Sequence, residues 1–248
     1  MDFLKQTAHR PWPMPESPWL IYMEWENLLF LHYPVHPDVL LPHIPEGLTL
    51  ETYGGFAWLS VVPFKMKNTR PRGLPAVPAV SDFLELNLRT YVTTEGKPGV
   101  FFFSLDAQNP LAVRGARLGF HLPYFDARMR WEIQQGRTRY LSTRTHNNAT
   151  RGEFEASYQP VSPLPRPSKS SLDHWLTERY CLYSADSKGR IYRCNIHHLP
   201  WPLHAVQVRE VKNTLGNLIG TRLFKAEYAH YSPHLAVVGW GLEQINKS

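Results

Sequence analysis

The clearest alternation of apolar and polar side chains runs from Phe83 to Val92. A repeat of two residues is typical of a β-strand, because successive side chains of a strand point to opposite faces. One face of this predicted strand carries Leu84, Leu86, Leu88, Thr90 and Val92. The opposite face carries Phe83, Glu85, Asn87, Arg89 and Tyr91. The pattern therefore predicts a strand with one apolar face and one face rich in functional groups.

Similar alternation, or a short apolar run bounded by turn residues, predicts strands along most of the remaining chain. These segments are Trp19–Tyr33, Phe56–Phe64, Val100–Asp106, Phe125–Ile133, Arg137–Thr145, Ala205–Val211, Arg222–Tyr231 and Leu235–Trp240. Only short helices are predicted, at residues 37–41, 111–118 and 171–176. Because no long helix and no β-α-β spacing occurs, we expect a mainly β fold with few short helices and an antiparallel sheet.

We interpret the 248 residues as a single β domain, since sandwiches and barrels of this length commonly form one core. Residues 1–18 are rich in proline and are predicted to form an N-terminal arm that lies over the domain. Residues 160–167 contain four prolines and predict a rigid connector. We place no domain boundary there, because the strands on either side can belong to one sheet.

Composition narrows the choice of partners and location. The net charge of +6 is a weak electrostatic field for a chain of 248 residues. No run approaches the ~18 apolar residues of a membrane span. The first twenty residues also lack the apolar segment of a signal peptide. We therefore predict a cytoplasmic protein without a membrane partner.

Two cysteines, Cys181 and Cys194, are too few for a disulfide framework, which favours a reducing compartment. Asp186-Ser187-Lys188-Gly189 predicts a hairpin turn between them. A turn centred between Ser187 and Lys188 places Cys181 opposite Cys194 and makes a cross-strand disulfide an alternative. We favour two buried free thiols.

The polar face of the Phe83–Val92 strand is the main candidate for chemistry. Glu85, Asn87 and Arg89 follow one another about 6.6 Å apart on that face. In a cavity, burial would raise the pKa of Glu85 and suit it to general acid or base catalysis, while Arg89 could hold a carboxylate. The alternative is a solvent-exposed face of an antiparallel sheet.

Familiar catalytic and metal-binding motifs are missing from the sequence. His197 and His198 are neighbours on a predicted strand and point to opposite faces, so they cannot chelate one ion. His32 and His36 have helical spacing, but Pro34 lies between them. We therefore predict no metal site and no cofactor.

Arginines make the middle of the chain basic. They are Arg114, Arg117, Arg128, Arg130, Arg137, Arg139, Arg144 and Arg151. Beside the phenylalanine-rich strand they could form a platform for single-stranded nucleic acid. The alternative is a solvated sheet face, which we favour because Val100–Ala107 lacks the basic and glycine positions of an RNA-recognition motif.

Several segments together resemble the YqjF-like bacterial proteins of unknown function. They are Trp58–Phe64, Phe83–Val92, Pro98–Asp106, Leu122–Tyr124 and Ile196–Leu203, and the resemblance covers about Trp19 to Trp240. That family is similar in fold to acetoacetate decarboxylase. The resemblance implies a large curved antiparallel sheet closed into a cone or barrel around an apolar cavity, with Glu85 at the position of a pocket glutamate.

The resemblance fails at the residue that forms the Schiff base in acetoacetate decarboxylase. Arg117 and Pro123 keep the spacing of that family's motif, but Tyr124 and Phe125 replace its two lysines. Neither side chain can form an imine, so we do not expect Schiff-base decarboxylation. Lys65, Lys67 and Lys225 lack a matching motif and are interpreted as surface residues. Tyr124 could donate a hydrogen bond to a carbonyl, and the alternative is a core tyrosine.

The sequence thus predicts a small-molecule-binding protein with an interior cavity for a carbonyl- or carboxylate-bearing ligand. Its catalytic candidates are Glu85 and Tyr124. Its ligand-binding candidates are Asn87, Arg89, Tyr91, Phe83, Arg117 and Phe102. The alternatives are a lyase, hydratase or isomerase that uses Glu85 without a Schiff-base lysine, and a module that binds single-stranded nucleic acid or protein. Exposed sheet edges also permit a homodimer.

Overall fold

The computed structural model describes residues 1–77, 80–110, 113–114 and 119–245. The first strands are β1 (Ile21–Val35), β2 (Thr49–Leu50), β3 (Ala57–Pro71), β4 (Phe83–Thr94), β5 (Lys97–Ala107) and β6 (Tyr124–Gln134). The later strands are β7 (Arg137–Arg144), β8 (Glu153–Pro163), β9 (Cys181–Ala185), β10 (Ile191–His197), β11 (His204–Asn213) and β12 (Tyr228–Ile245). The helices are α1 (Pro37–Leu40) and α2 (Leu172–Thr177). Short 3₁₀ turns occur at Asp2–Lys5, Leu41–His43 and Leu215–Ile219. The helix predicted at 111–118 falls mostly outside the described residues.

These strands form one twelve-stranded sheet in the order β10-β9-β5-β6-β7-β8-β11-β12-β1-β3-β4-β2. The mainly β fold is therefore confirmed. Most neighbouring strands are antiparallel, but β5 pairs in parallel with β6 and with β9. Strand β8 includes the first half of the predicted proline connector at 160–167 and pairs with β11 in this sheet. Among the helices of the described residues, none has both the length and the apolar character needed to cross a bilayer.

The sheet folds back on itself, because β10 also pairs with β12 and β4 also pairs with β5. Strands β1, β3 and β4 form a central wall that belongs to two circuits of paired strands. Both circuits also include β5, which pairs with β4, and β12, which pairs with β1. One circuit is completed by β9 and β10, and the other by β6, β7, β8 and β11. Both faces of the central wall are consequently covered, and every residue of β4 from Glu85 to Val92 is buried.

The central wall separates two interiors. The Leu88 compartment contains Leu29, Leu31, Leu86, Leu88, Tyr140, Phe154 and Tyr158. The Arg89 compartment contains the opposite face of β4, from Glu85 to Tyr91, with Phe30, Val62, Phe64, Phe102, Leu105 and Trp201 packed around it. The solvent-exposed alternative for the polar face of β4 is therefore wrong, because a second layer of strands covers it.

The β9–β10 hairpin differs from its predicted register by one residue. Cys181 pairs with Asn195, and Cys194 pairs with Leu182. Asp186 explains the shift, because its carboxylate accepts the backbone N–H groups of Lys188 and Arg190 and so lengthens the turn. Adjacent pairs point to opposite faces. Both cysteines are buried and free.

The N-terminal residues pack against one end of β10 and β12. Arg10 Nη1 donates to the carbonyl of Ile196 at 2.7 Å. His197 Nε2 lies 3.0 Å from the carbonyl of Phe3, and the two rings stack. Trp240 Nε1 donates to the carbonyl of Ser17 at 2.7 Å. These contacts hold the first eighteen residues against the sheet.

Candidate ligand-binding site

The polar face of β4 is buried because it lies across from apolar and small residues on both neighbouring strands. Glu85, Asn87 and Arg89 pair with Phe64, Val62 and Ser60 on β3. On the other side they pair with Ala107, Leu105 and Phe102 on β5. Glu85 is 2% exposed, Asn87 4% and Arg89 8%. Since charged side chains are rarely buried without a partner, each of them requires an explanation.

Glu85 has a partner in Tyr124, whose hydroxyl donates to Glu85 Oε2 at 2.8 Å. The parallel pairing of Leu105 with Tyr124 sets the start of β6 beside the Glu85 face. Burial raises the pKa of Glu85 to about 7, although hydrogen bonds from Tyr124 and Asn87 oppose the shift. Near neutral pH this carboxyl group can therefore both donate and accept a proton.

Arg89 has no such partner. Within the described residues, no carboxylate lies within 4.0 Å of its guanidinium, which instead lies over the rings of Phe30 at 5.3 Å and Tyr91 at 6.0 Å. Burial lowers the pKa of Arg89, but a guanidinium keeps its charge in proteins. Its Nε atom is buried without a hydrogen-bond partner. Arg89 is thus a buried cation whose compensating anion is missing from the described chain.

A hydrogen-bonded chain of His32, Ser60 and Tyr91 lies beside Arg89. His32 Nδ1 is 2.7 Å from Ser60 Oγ, and Ser60 Oγ is 2.6 Å from Tyr91 Oη. Burial, followed by the nearby His230 and Arg89, holds the pKa of His32 well below its usual value. The ring is therefore neutral and presents its Nε2 atom without a partner. Sequence reasoning considered His32 only as a metal ligand and missed this role.

Residues around α2 cover the Arg89 compartment over Tyr91. The ring of Trp175 lies 4.7 Å from that of Tyr91. Arg179 Nε donates to the carbonyl of Trp175 at 2.8 Å, and its Nη1 pairs with Glu51. Asp173 of α2 contacts strand β12, where His230 Nε2 lies 3.2 Å from Asp173 Oδ1. Arg179 is a second buried guanidinium, but this one has a carboxylate.

Several buried polar atoms of the Arg89 compartment lack a hydrogen-bond partner. They are Trp25 Nε1, His32 Nε2, Asn87 Oδ1, Arg89 Nε, Arg179 Nη2, Trp201 Nε1, His230 Nδ1 and Ser232 Oγ. Most of these atoms belong to groups that donate hydrogen bonds. Leaving such a group unsatisfied costs about 1–3 kcal/mol. Acceptor oxygens would complement most of these atoms.

The structure brings most of the predicted site residues together. Tyr91 and Phe102 lie beside Arg89, Tyr124 and Asn87 lie beside Glu85, and Phe83 packs at the end of the same face. Arg117 lies outside the described residues. Sequence reasoning missed Ser60, Trp175, Arg179, His230 and Ser232. The only available signal was the even spacing of Trp58, Ser60, Val62 and Phe64 on the β3 segment.

Every described lysine is at least partly exposed. Lys65 lies at the sheet surface with its Nζ 3.0 Å from the ring centre of Trp131.

Not every arginine of the middle segment faces solvent. Arg144 is buried and pairs with Asp106 at 2.7 Å, whereas Arg139 pairs with Glu155 at 2.7 Å. His198 is buried, with its Nε2 3.1 Å from the carbonyl of Arg179. Within the described part of the chain, Glu24, Glu26 and His234 form the group that brings three potential metal ligands together, and it lies away from the Arg89 compartment.

A surface cleft of about 730 Å³ approaches the Arg89 compartment from outside. Its walls include Phe101, Phe103 and residues 183–188 of the β9–β10 hairpin. Phe102 and Leu122 line this cleft and also pack in the Arg89 compartment. These two side chains therefore contact both the cleft and the interior.

Comparison with known proteins gives a family and a fold. The family model DUF2071, described as uncharacterised conserved proteins, matches residues 22–236. The uncharacterised protein YqjF of Bacillus subtilis (strain 168) is 42% identical over 232 residues, which cover 93% of this chain and 95% of YqjF. This likeness confirms the resemblance seen in the sequence motifs.

Solved structures with a similar fold include two enzymes. The enduracididine biosynthesis enzyme MppR, with HEPES buffer bound, aligns with a TM-score of 0.65 at 13% identity and covers 93% of this chain and 89% of its own. An acetoacetate decarboxylase from Legionella pneumophila subsp. pneumophila str. Philadelphia 1 aligns with a TM-score of 0.61 at 13% identity, covering 98% and 95%. The acetoacetate decarboxylase-like fold is therefore confirmed.

Proposed function

From the premise that this chain belongs to the DUF2071 family of uncharacterised conserved proteins, we propose that it binds a small carbonyl- or carboxylate-bearing molecule in the Arg89 compartment. The observation that carries the proposal is the buried Arg89 guanidinium, which has no carboxylate within 4.0 Å among the residues that the structure describes. Burying an unpaired charge is costly, and removing the partner of a buried ion typically costs about 3–5 kcal/mol. A ligand carboxylate would supply the missing anion and pair with the guanidinium through charge-assisted hydrogen bonds.

The other unpartnered groups favour the same ligand class. Trp25 Nε1, Trp201 Nε1 and Ser232 Oγ are donors that face the same interior as Arg89. Carbonyl and carboxylate oxygens are acceptors and would complement them. Phe30 and Phe102 provide apolar surface for the remainder of a small molecule.

A structural neighbour adds support from its own ligand. MppR has been solved in complex with pyruvate, a molecule that carries a carboxylate and a carbonyl group. The likeness between MppR and this chain is one of fold, at 13% identity. The ligand class proposed for this chain therefore depends on Arg89 and its surroundings.

Direct binding measurements test the proposal. Pyruvate and a panel of two- to six-carbon monocarboxylates would be titrated into ligand-free protein by isothermal calorimetry or ligand-observed NMR, with acetone as a neutral carbonyl. At least one carboxylate is expected to bind the wild type. Arg89→Gln should weaken that binding about 100-fold, because truncating one partner of a buried charged pair costs about 2–5 kcal/mol.

Arg128→Gln is the matched control, since Arg128 is exposed on β6. It removes the same charge without touching the Arg89 compartment and should leave affinity unchanged. Absence of binding by every member of the panel, or equal affinity of the wild type and Arg89→Gln, would contradict the proposal.

Glu85 favours a second candidate function, a lyase, hydratase or isomerase. Its pKa of about 7 and its hydrogen bond to Tyr124 suit proton transfer at neutral pH. As a base, Glu85 would take a proton from the carbon next to a bound carbonyl, and the electron pair left on carbon would move onto the carbonyl oxygen. Tyr124 would then stabilise that oxygen by donating its hydroxyl hydrogen bond to it instead of to Glu85.

Exchange of pyruvate methyl protons for deuterium separates the binder from the enzyme. In ²H₂O, a catalytic Glu85 predicts loss of the methyl ¹H signal faster than in buffer, and Glu85→Gln should abolish that acceleration while retaining affinity. A wild type that binds pyruvate without accelerating exchange would reject this step and leave the binding function intact.

A further inference from the structure

A second cleft, of about 640 Å³, lies between the N-terminal segment and the connector that leads to α2. Lys5 to His9 form one wall. Arg166, Lys169, His174 and Glu178 lie on the other side. This cleft is separate from the Arg89 compartment, and no part of the proposed interior site lines it.

The cleft is strongly basic. Lys5, Arg166 and Lys169 carry permanent charges, whereas Glu178 is the single acidic residue of the lining. Within the described part of the chain, neither Arg166 nor Lys169 has a carboxylate within 4.0 Å. Two cations without a carboxylate partner among the described residues therefore lie on the same side of this concave surface.

Glu178 does not neutralise these cations by contact, because both of its carboxylate oxygens are engaged elsewhere. Oε1 accepts the backbone N–H of Trp201 at 3.0 Å. Oε2 accepts the hydroxyl of Tyr180. The carboxylate is thus oriented by the chain around it, and neither Arg166 nor Lys169 lies within 4.0 Å of its oxygens.

The positive charges also affect the pKa of His174, which lines the same cleft. Burial lowers the pKa of His174, and the charges of Arg179, Lys169 and Arg166 lower it further, against the opposing effect of Glu178. His9 has one ring nitrogen 2.8 Å from the carbonyl of His198, which fixes the orientation of its ring at the cleft. Concave basic surfaces concentrate anions, because low-dielectric walls focus the field.

We infer that this cleft binds a phosphate-bearing small molecule. Arg166 and Lys169 would hold the phosphate oxygens through charge-assisted hydrogen bonds. The hydroxyl of Thr7, in the opposite wall, is a further donor for the same group. Proline and histidine rings from Pro167, Pro200 and His174 provide flat surface beside the phosphate position.

Calorimetric titration of the full chain with inorganic phosphate, pyrophosphate and adenosine 5′-monophosphate tests the inference. At low ionic strength, at least one of these probes should bind, and added NaCl should weaken the binding. The double variant Arg166→Gln/Lys169→Gln should lose about tenfold or more in affinity. Equal affinity for inorganic phosphate and adenosine 5′-monophosphate would show that the cleft recognises the phosphate group alone. Tighter binding of the nucleotide would show that the cleft also contacts the nucleoside.

Arg128→Gln/Arg130→Gln is the matched control, because both residues are exposed on β6 and the variant changes net charge by the same amount. It should bind within about twofold of the wild type. The inference is overturned if none of the three probes binds, if the control loses as much affinity as the cleft variant, or if only a single-stranded oligonucleotide binds.

Discussion

The two sides of strand β4 differ in whether a buried arginine has a carboxylate partner. On the Leu88 side, the buried cation Arg144 has the carboxylate of Asp106 at 2.7 Å. On the Arg89 side, the Arg89 guanidinium lies over aromatic rings near a neutral histidine, and among the described residues no carboxylate lies within 4.0 Å of it. A charge that serves the fold is paired within the chain. The unpaired charge of Arg89 therefore marks the interior that we propose to bind a ligand.

The largest expected effect is the loss of the paired charge in the Leu88 compartment. Asp106→Ala leaves the buried Arg144 without its anion and should lower the free energy of unfolding by about 3–5 kcal/mol. Urea denaturation measures this loss. Glu155→Ala, which removes the partner of the more exposed Arg139, should cost only about 0–1 kcal/mol. Equal losses for the two variants would contradict the contrast between buried and exposed pairs.

Leucine truncation on the same side of the wall is expected to be nearly as severe. Leu88 is fully buried, and Leu88→Ala should cost about 2–5 kcal/mol through lost burial and the remaining cavity. Val161→Ala is the control, since Val161 is 59% exposed and its truncation should fall within about 0.5 kcal/mol of the wild type. A small effect at Leu88 would show that the Leu88 compartment is loosely packed.

On the Arg89 side, the free energy of unfolding should depend on pH because of Glu85. The folded-state pKa of Glu85 is raised from 4.5 to about 7, so the folded chain keeps a proton that the unfolded chain releases between these values. Stability contributed by Glu85 should therefore be full below about pH 4.5, fall as the pH rises to about 7 and then level off. Relative to Glu85→Gln, the wild type should lose roughly 3 kcal/mol over that interval.

Unfolding curves of both proteins between pH 4.5 and 8 provide the measurement. Taking the difference between them removes the contribution of groups that titrate in both, such as His230. A difference that stays constant with pH would show that the Glu85 carboxyl group has an ordinary pKa.

Much of the central wall could be predicted from sequence, because the alternation in Phe83–Val92 is local. The polar face of β4, its order of Glu85, Asn87 and Arg89, and the apolar face with Leu88 all follow from a repeat of two residues. The repeat does not say which face is covered. That depends on β9, β10 and β12, which begin almost ninety residues or more further along the chain.

Other features of the site could not be predicted from the sequence, because small backbone irregularities determine which face of the sheet a side chain occupies. Asn27 has a positive φ of 53° at a bulge in β1. As a result, Trp25 and Leu28 both contact the Arg89 compartment, although simple alternation assigns them to opposite faces. His230, Ser232 and Arg179 join the site from distant segments through long-range pairing, for which their local sequence carries no signal.

The most direct test of the contrast applies one substitution to both sides of the wall. Arg89→Met and Arg144→Met would be compared by urea denaturation as ligand-free proteins refolded from denaturant. Arg89→Met removes an unpaired buried charge and should raise the free energy of unfolding by about 1–3 kcal/mol, whereas Arg144→Met leaves Asp106 unpaired and should lower it. A loss of stability in Arg89→Met as large as that in Arg144→Met would show that Arg89 serves the fold and would contradict its assignment to a ligand.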